Sequence, residues 1–241
     1  MHDHLVEFYE SDELLVDSVR DFFTPALQAC APVILVATAA HRAAIIDALE
    51  ARGFDIEAAR RQEEFVDLDA AETLSRFMVG NFPDPARFEQ VVGELIRSVG
   101  KGSQELRIYG EMVALLWDEG NRNGALRLEE LWNNLSRTQP FTLLCAYPLT
   151  SIDWGSDSAQ FRGICSTHTS VRLRFAAPQA LKQAEPQEAQ SDDFARLRGI
   201  ESDFNALKCV IRNANQMGRL ADNKKTVSQS GPDALDYDLT L

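Results

Sequence analysis

The chain has 241 residues, 45% of them hydrophobic and 25% charged, and a formal net charge of −13. That composition belongs to a soluble globular protein with room for one large domain and an appendage. Such an acidic balance argues against a general nucleic-acid binder, which needs a basic face for phosphates. No run of about 18 apolar residues is present, and MHDHLVEF has neither the basic region nor the apolar core of a signal peptide. A cytoplasmic protein without a membrane span is therefore expected.

Hydrophobic periodicity predicts strands alternating with helices. HLVEFYE (4–10) reads as a strand, and SDELLVDSVRDFFTPAL as an amphipathic helix with Leu14, Leu15, Val19, Phe22 and Phe23 on one stripe. APVILVAT (31–38) is apolar almost throughout, as a parallel strand covered on both faces requires, and 39–53 is a helix closed by Gly53. EFVDLDA (64–70) is the next strand, followed by helices at AETLSRFMV and ARFEQVVGELIRSVG, with a turn at NFPDP between them. ELRIYGE (105–111) is a strand, 112–137 is helical with a break at GNRNG, and FTLLCAYPL (141–149) is a strand. FRGICSTH reads as a helix and SVRLRF as a last, exposed strand. This alternation predicts a three-layer αβα fold on a mostly parallel sheet, with a C-terminal helical extension.

Four units are expected: a domain over 1–176, a linker over 177–190, an amphipathic helix over 191–218 and a disordered tail over 219–241. Phe194, Leu197, Phe204 and Leu207 lie on the stripe of that helix and are the expected partner-binding residues. A homodimer is one arrangement such a stripe would serve. The cysteines Cys30, Cys145, Cys165 and Cys209 are scattered without a CxxC or Cys/His cluster, so no zinc site, disulfide framework or cofactor is expected. Cys145 reads as a small buried apolar residue, and His168, with no companion nearby in sequence, as structural.

Several motifs together resemble a known family. They are HLVEFYESDELL, VILVATAAHRAAIIDAL, DAAETLSRFM, PDPARFEQVVGELI, YGEMVALLWDEGNRNGALRLEELWNNL, FTLLCAYPL and ICSTHTSV, running from His4 to about Val171. The chain resembles the MEDS domain, the sensory part of methanogen and methylotroph proteins and of the regulator DcmR. The resemblance implies a RecA/KaiC-like core and a role in prokaryotic signal transduction. It also implies a small organic ligand and regulatory protein partners such as a histidine kinase, a response regulator or a transcription regulator. The family supplies no catalytic residues to carry over.

A RecA-like ATPase needs a glycine-rich loop with Lys and Ser/Thr between its first strand and first helix, so that backbone N–H groups wrap the phosphates. The equivalent connection here is FYESDELL, which has no glycine or lysine and carries Glu10, Asp12 and Glu13. Three carboxylates repel a triphosphate, so no enzyme is expected. In an open α/β sheet ligands bind at the carboxyl ends of the strands. The expected ligand-binding residues are accordingly Phe8, Tyr9, Asp12, Thr38, His41, Asp69, Tyr109, Glu111, Met112 and Tyr147. This acidic and aromatic set suits a small ligand with apolar surface and a hydrogen-bond donor or cationic group.

Glu111 has two readings, a ligand-recognition group or a helix N-terminal carboxylate favoured by the helix dipole. Asp67 and Asp69 share one strand face and read either as caps of the next helix or as a metal pair. The functional expectation is a sensor or adaptor that passes ligand or partner state on through helix rearrangement. The alternatives are a protein-only antagonist module and a degenerate nucleotide-binding or metal-dependent enzyme.

Overall fold

The computed structural model describes residues 3–100, 106–153, 157–176, 226–228 and 234–240. The chain starts with β1 (His4–Tyr9), α1 (Asp12–Gln28), β2 (Val33–Ala37), α2 (Ala39–Glu50), α3 (Ile56–Arg61), β3 (Phe65–Asp69) and α4 (Ala70–Ser75). A small hairpin of β4 (Met78–Val79) and β5 (Phe82–Pro83) leads to α5 (Pro85–Phe88), a π-helical turn at Glu89–Gly93 and α6 (Glu94–Gly100). Then come β6 (Arg107–Gly110), α7 (Met112–Asp118), α8 (Arg122–Ser136), β7 (Thr142–Pro148), α9 (Ser158–Thr167) and β8 (Ser170–Ala176). Two further strands close the sheet, β9 (Thr226–Ser228) and β10 (Ala234–Thr240).

The sheet order is β3-β2-β6-β7-β1-β8-β10-β9. The first six of these strands are all parallel, and β10 is antiparallel to both β8 and β9. The αβα fold with a mostly parallel sheet is thus as expected from the alternation. Side chains alternate along each strand, so the sheet feeds two separate cores. Leu5, Tyr9, Val33, Leu35, Ala37, Tyr109, Leu144 and Ala146 pack under α1, α2 and α3. Val6, Phe8, Ile34, Val36, Ile108, Leu143, Cys145 and Tyr147 pack on the other face, under the helices from α4 to α9.

Local chemistry explains the boundaries. The expected break at GNRNG divides α7 from α8, with Gly120 at φ +78, a conformation that favours glycine. Asn121 then caps α8 by accepting from Gly124 N at 3.0 Å. The helix α3 and the β4–β5 hairpin are too short for periodicity to find. Within the stretch 219–241 expected to be disordered, 226–228 and 234–240 are strands. The stretch ALDYDLT alternates apolar and acidic residues with the period of a strand. The linker and the helix expected over 177–190 and 191–218, with Phe194, Leu197, Phe204 and Leu207, lie outside the described residues.

One aromatic set anchors the larger core. Phe88 meets both Phe77 and Trp132 edge to face, each at 5.2 Å between ring centroids, and is 2% exposed. Phe88→Ala should therefore cost about 3–5 kcal/mol of stability, read as a lowered urea midpoint with the slope unchanged.

Candidate functional site

The strand β2 runs into α2 on one face of the sheet, whereas its neighbour β6 runs into α7 on the other. Between two such strands the outgoing helices diverge and leave a crevice at the carboxyl ends. Glu111 lies at this point. Its backbone N–H donates to Val36 O at 2.9 Å, which fixes it beside the end of β2. The carboxylate is nearly buried, and both its oxygens are engaged: Oε2 accepts from Thr38 N at 2.7 Å, and Oε1 lies 2.7 Å from His41 Nδ1. The other ring nitrogen, Nε2, reaches Asp12 Oδ1 at 3.4 Å.

The four residues Asp12, Thr38, His41 and Glu111 thus join the starts of α1, α2 and α7 through one imidazole. Thr38 is also the N-cap of α2 and accepts weakly from His41 N, at 3.4 Å. The hydrogen bond to Glu111 raises the His41 pKa above its ordinary 6.5, burial works against this, and the charges of Glu111 and Asp12 reinforce it. Tyr9 lies in the same field: burial, then Glu111 and Asp12, push its hydroxyl pKa upward. Beneath them Tyr109 is fully buried, and its hydroxyl has no hydrogen-bond partner among the described residues.

The other expected residues go elsewhere. Phe8, Met112 and Tyr147 are fully buried in the larger core, where Phe8 packs 5.7 Å from Tyr147 and 4.8 Å from Phe161. Asp69 caps α4 by accepting from Glu72 N at 3.0 Å and lies 3.4 Å from Arg42. Asp67 is held by Arg60 at 2.9 Å and Arg42 at 3.5 Å. These aspartates are spent on a helix start and two guanidinium groups. A groove of about 680 Å³ lies between α6 and the end of α8, lined by Phe88, Ile96, Arg97, Leu131, Leu135 and Gln139 among others, and by none of the expected ligand-binding residues.

A second polar cluster, on the opposite face of the sheet, was not anticipated. Glu129 is completely buried on α8. Its Oε1 accepts from the Tyr147 hydroxyl at 2.7 Å. Its Oε2 lies 3.2 Å from His4 Nε2, 3.3 Å from His168 Nε2 and 3.4 Å from Cys145 Sγ. Burial alone would raise the Glu129 pKa, but His168 and His4 outweigh it and hold the carboxyl below the usual range. One signal for this cluster is visible in the sequence. A carboxylate stands on the buried stripe Ala125, Leu128, Glu129, Trp132 and Leu135, where a lone charge is costly.

Comparison with known proteins places this architecture. The family model for MEDS, the MEthanogen/methylotroph, DcmR Sensory domain, matches residues 3–169. The chain belongs to the MEDS family. The MEDS region therefore spans every described element from β1 to α9. Among solved structures, the protein is similar to the uncharacterized protein PH0321 of Pyrococcus horikoshii, crystallised with an unknown peptide. The TM-score is 0.56 at 12% identity, over 73% of this chain and 78% of that one, a likeness of fold. The KaiC-like protein PH0186 of the same organism aligns at a TM-score of 0.47 and 12% identity, over 77% of this chain and 74% of that one. The search of curated proteins found no match.

The His41 bridge of this MEDS domain has a pH signature. Because the folded-state pKa is raised, the stabilisation is complete below the ordinary value of 6.5 and is lost as pH rises through the raised value. The stability gap between wild type and Glu111→Gln, measured by urea unfolding, should be widest near pH 6 and narrow as the pH increases. A gap that widens with pH would refute the assigned protonation.

Proposed function

We infer that the protein is a non-enzymatic signalling sensor or adaptor whose responsive element is the Glu111–His41 bridge at the strand-end crevice. The membership in a family of sensory domains gives the class. The observation that carries the finer reading is the nearly buried Glu111 carboxylate, fastened to Thr38 N and His41 where α2 and α7 leave on opposite faces. A small organic ligand presenting a donor or a cation to Glu111 would displace His41. That displacement would release the starts of α1 and α2 from α7, and the change in helix position would be read by a regulatory protein partner.

The absence of turnover is part of this proposal. Its support is the connection between β1 and α1, which consists of Glu10 and Ser11. Glu10 N donates to Arg174 O at 3.1 Å, and the Glu10 carboxylate accepts from Ala176 N at 2.8 Å. A connection this short, acidic and committed to β8 offers no N–H cradle to a phosphate. No helix among the described residues is long and apolar enough to cross a membrane.

A protein-only module is the second reading, favoured because the domain's own side chains occupy the crevice. Native mass spectrometry of the protein taken from its own cells separates the two. The sensor reading predicts an adduct of small-molecule mass on wild type that Glu111→Ala loses while keeping its fold. A co-purifying protein on both forms, without any such adduct, would favour the protein-only module. Bound nucleotide that is hydrolysed on incubation would overturn both.

A further inference from the structure

The cluster around Glu129 has the donors, the spacing and the supporting hydrogen bonds of a metal centre. His4 begins β1, Glu129 lies on α8, Cys145 on β7, and His168 at the junction of α9 and β8. One ligand atom from each falls within 4.8 Å of all the others, and all four residues are buried. The contacts are 3.2 Å and 3.3 Å from Glu129 Oε2 to the two imidazole Nε2 atoms, 3.4 Å from Glu129 Oε2 to Cys145 Sγ, and 3.5 Å from Sγ to His4 Nε2. Donors placed tetrahedrally at zinc bond lengths stand about 3.3–3.7 Å apart. Four of the six ligand–ligand separations lie in that range or a tenth of an ångström short of it, and the other two are within 4.8 Å.

The hydrogen bonds behind the ligands fix which atoms face inward. Asn133 Nδ2 donates to Thr167 O at 2.7 Å, so its Oδ1 is the acceptor for His4 Nδ1 at 2.9 Å. His168 Nδ1 lies 2.6 Å from Ile164 O, a carbonyl that can only accept. Both rings therefore carry their proton on Nδ1 when neutral, and both present an Nε2 lone pair to the same point. Among the described residues His168 Nε2 is buried without a well-aligned hydrogen bond, with the Glu129 carboxylate at ion-pair distance, 3.3 Å. Tyr147 holds the remaining oxygen of Glu129. A carboxylate oxygen and a thiol facing two imidazole Nε2 atoms in a buried site need positive charge among them, which an imidazolium proton supplies in the metal-free cluster and a bound cation replaces.

We propose that His4, Glu129, Cys145 and His168 form a tetrahedral site for a divalent transition-metal ion, zinc by the chemistry of its donors. Two imidazoles, a carboxylate and a thiolate make a borderline-soft N₂OS set that suits zinc. Binding makes four metal–ligand bonds and releases the thiol proton of Cys145 to solvent. The dication then balances one thiolate and one carboxylate, so the buried centre is neutral. Four protein ligands leave no open position, which marks a structural site rather than a catalytic one. The ion clamps the α9–β8 junction to β1, β7 and α8, and β8 is the strand from which the chain continues to the C-terminal residues.

Elemental analysis of the full chain, expressed with added zinc and desalted, tests the site. About one zinc per chain is expected, with a higher Tm than after chelation and recovery of that Tm on adding zinc back. Cobalt(II) in its place should give the intense visible absorption of a tetrahedral centre and a thiolate charge-transfer band. Cys145→Ser should abolish that band, and His168→Ala should reduce the bound metal to about a tenth or less. Cys30→Ser, at an exposed cysteine outside the cluster, should keep both. The cobalt spectrum of wild type needs no variant to fold. Folded wild type that was expressed with added zinc and holds less than about a tenth of an equivalent would overturn the proposal. So would Cys145→Ser and His168→Ala proteins that retain wild-type metal and spectrum.

Discussion

The architecture turns on a carboxylate that has almost no contact with water. Transferring an ionised carboxylate into a protein interior costs several kcal/mol, by rough estimate, unless donors meet it. Glu111 meets them where the neighbouring parallel strands β2 and β6 send their helices to opposite faces: the N–H of Thr38 and the ring of His41. These donors are available because Gly110 and Val36 pair in the sheet, which sets the end of β6 against the start of α2. The start of α2, and through His41 and Asp12 that of α1, is therefore tied to a single side chain. Removing Glu111 leaves the Thr38 N–H without its acceptor, and removing His41 leaves the Glu111 carboxylate with one donor in place of two.

The sheet carries a second buried acid on its other face. Glu111 and Glu129 both rely on histidine, but their surroundings differ. Glu111 stands at the carboxyl ends of the strands, where the exposed Asp12 makes the edge of the bridge. Glu129 lies in a closed interior with two imidazoles and a thiol, and its neighbours are themselves oriented by Asn133, Ile164 O and Tyr147. Under the proposed function the first arrangement is the one that responds to what arrives at the crevice. The second fixes the last helix and strand of the domain to its centre. A sensory domain needs both a movable contact and a rigid body against which movement is registered.

Much of the fold is legible in the residues. Apolar runs such as VILVA and TLLCAY, bounded by turn residues and rich in β-branched or aromatic side chains, read as strands covered on both faces, and the stripe Leu14, Leu15, Val19, Phe22 and Phe23 reads as one side of a helix. The rule that ligands approach strand ends led to Asp12, Thr38, His41 and Glu111, and the structure brings these four into contact. The same rule also picked out Phe8, Met112 and Tyr147, because sequence alone does not tell which strand residues turn to the core. The cluster of His4, Glu129, Cys145 and His168 was hidden for a different reason. Its members come from four segments that meet only because β1 inserts between β7 and β8, an order that local periodicity does not carry. What the sequence did show was an acid on an apolar helical stripe, a mark of a buried partner.

Amide hydrogen exchange on wild type and Glu111→Gln tests most directly whether this one carboxylate holds the crevice closed. The account predicts that the substitution accelerates exchange in the first turns of α1 and α2, at Thr38 and His41 above all, while β1, β7 and α8 keep their protection. Unchanged exchange in those first turns, or equal loss of protection through the whole sheet, would contradict it.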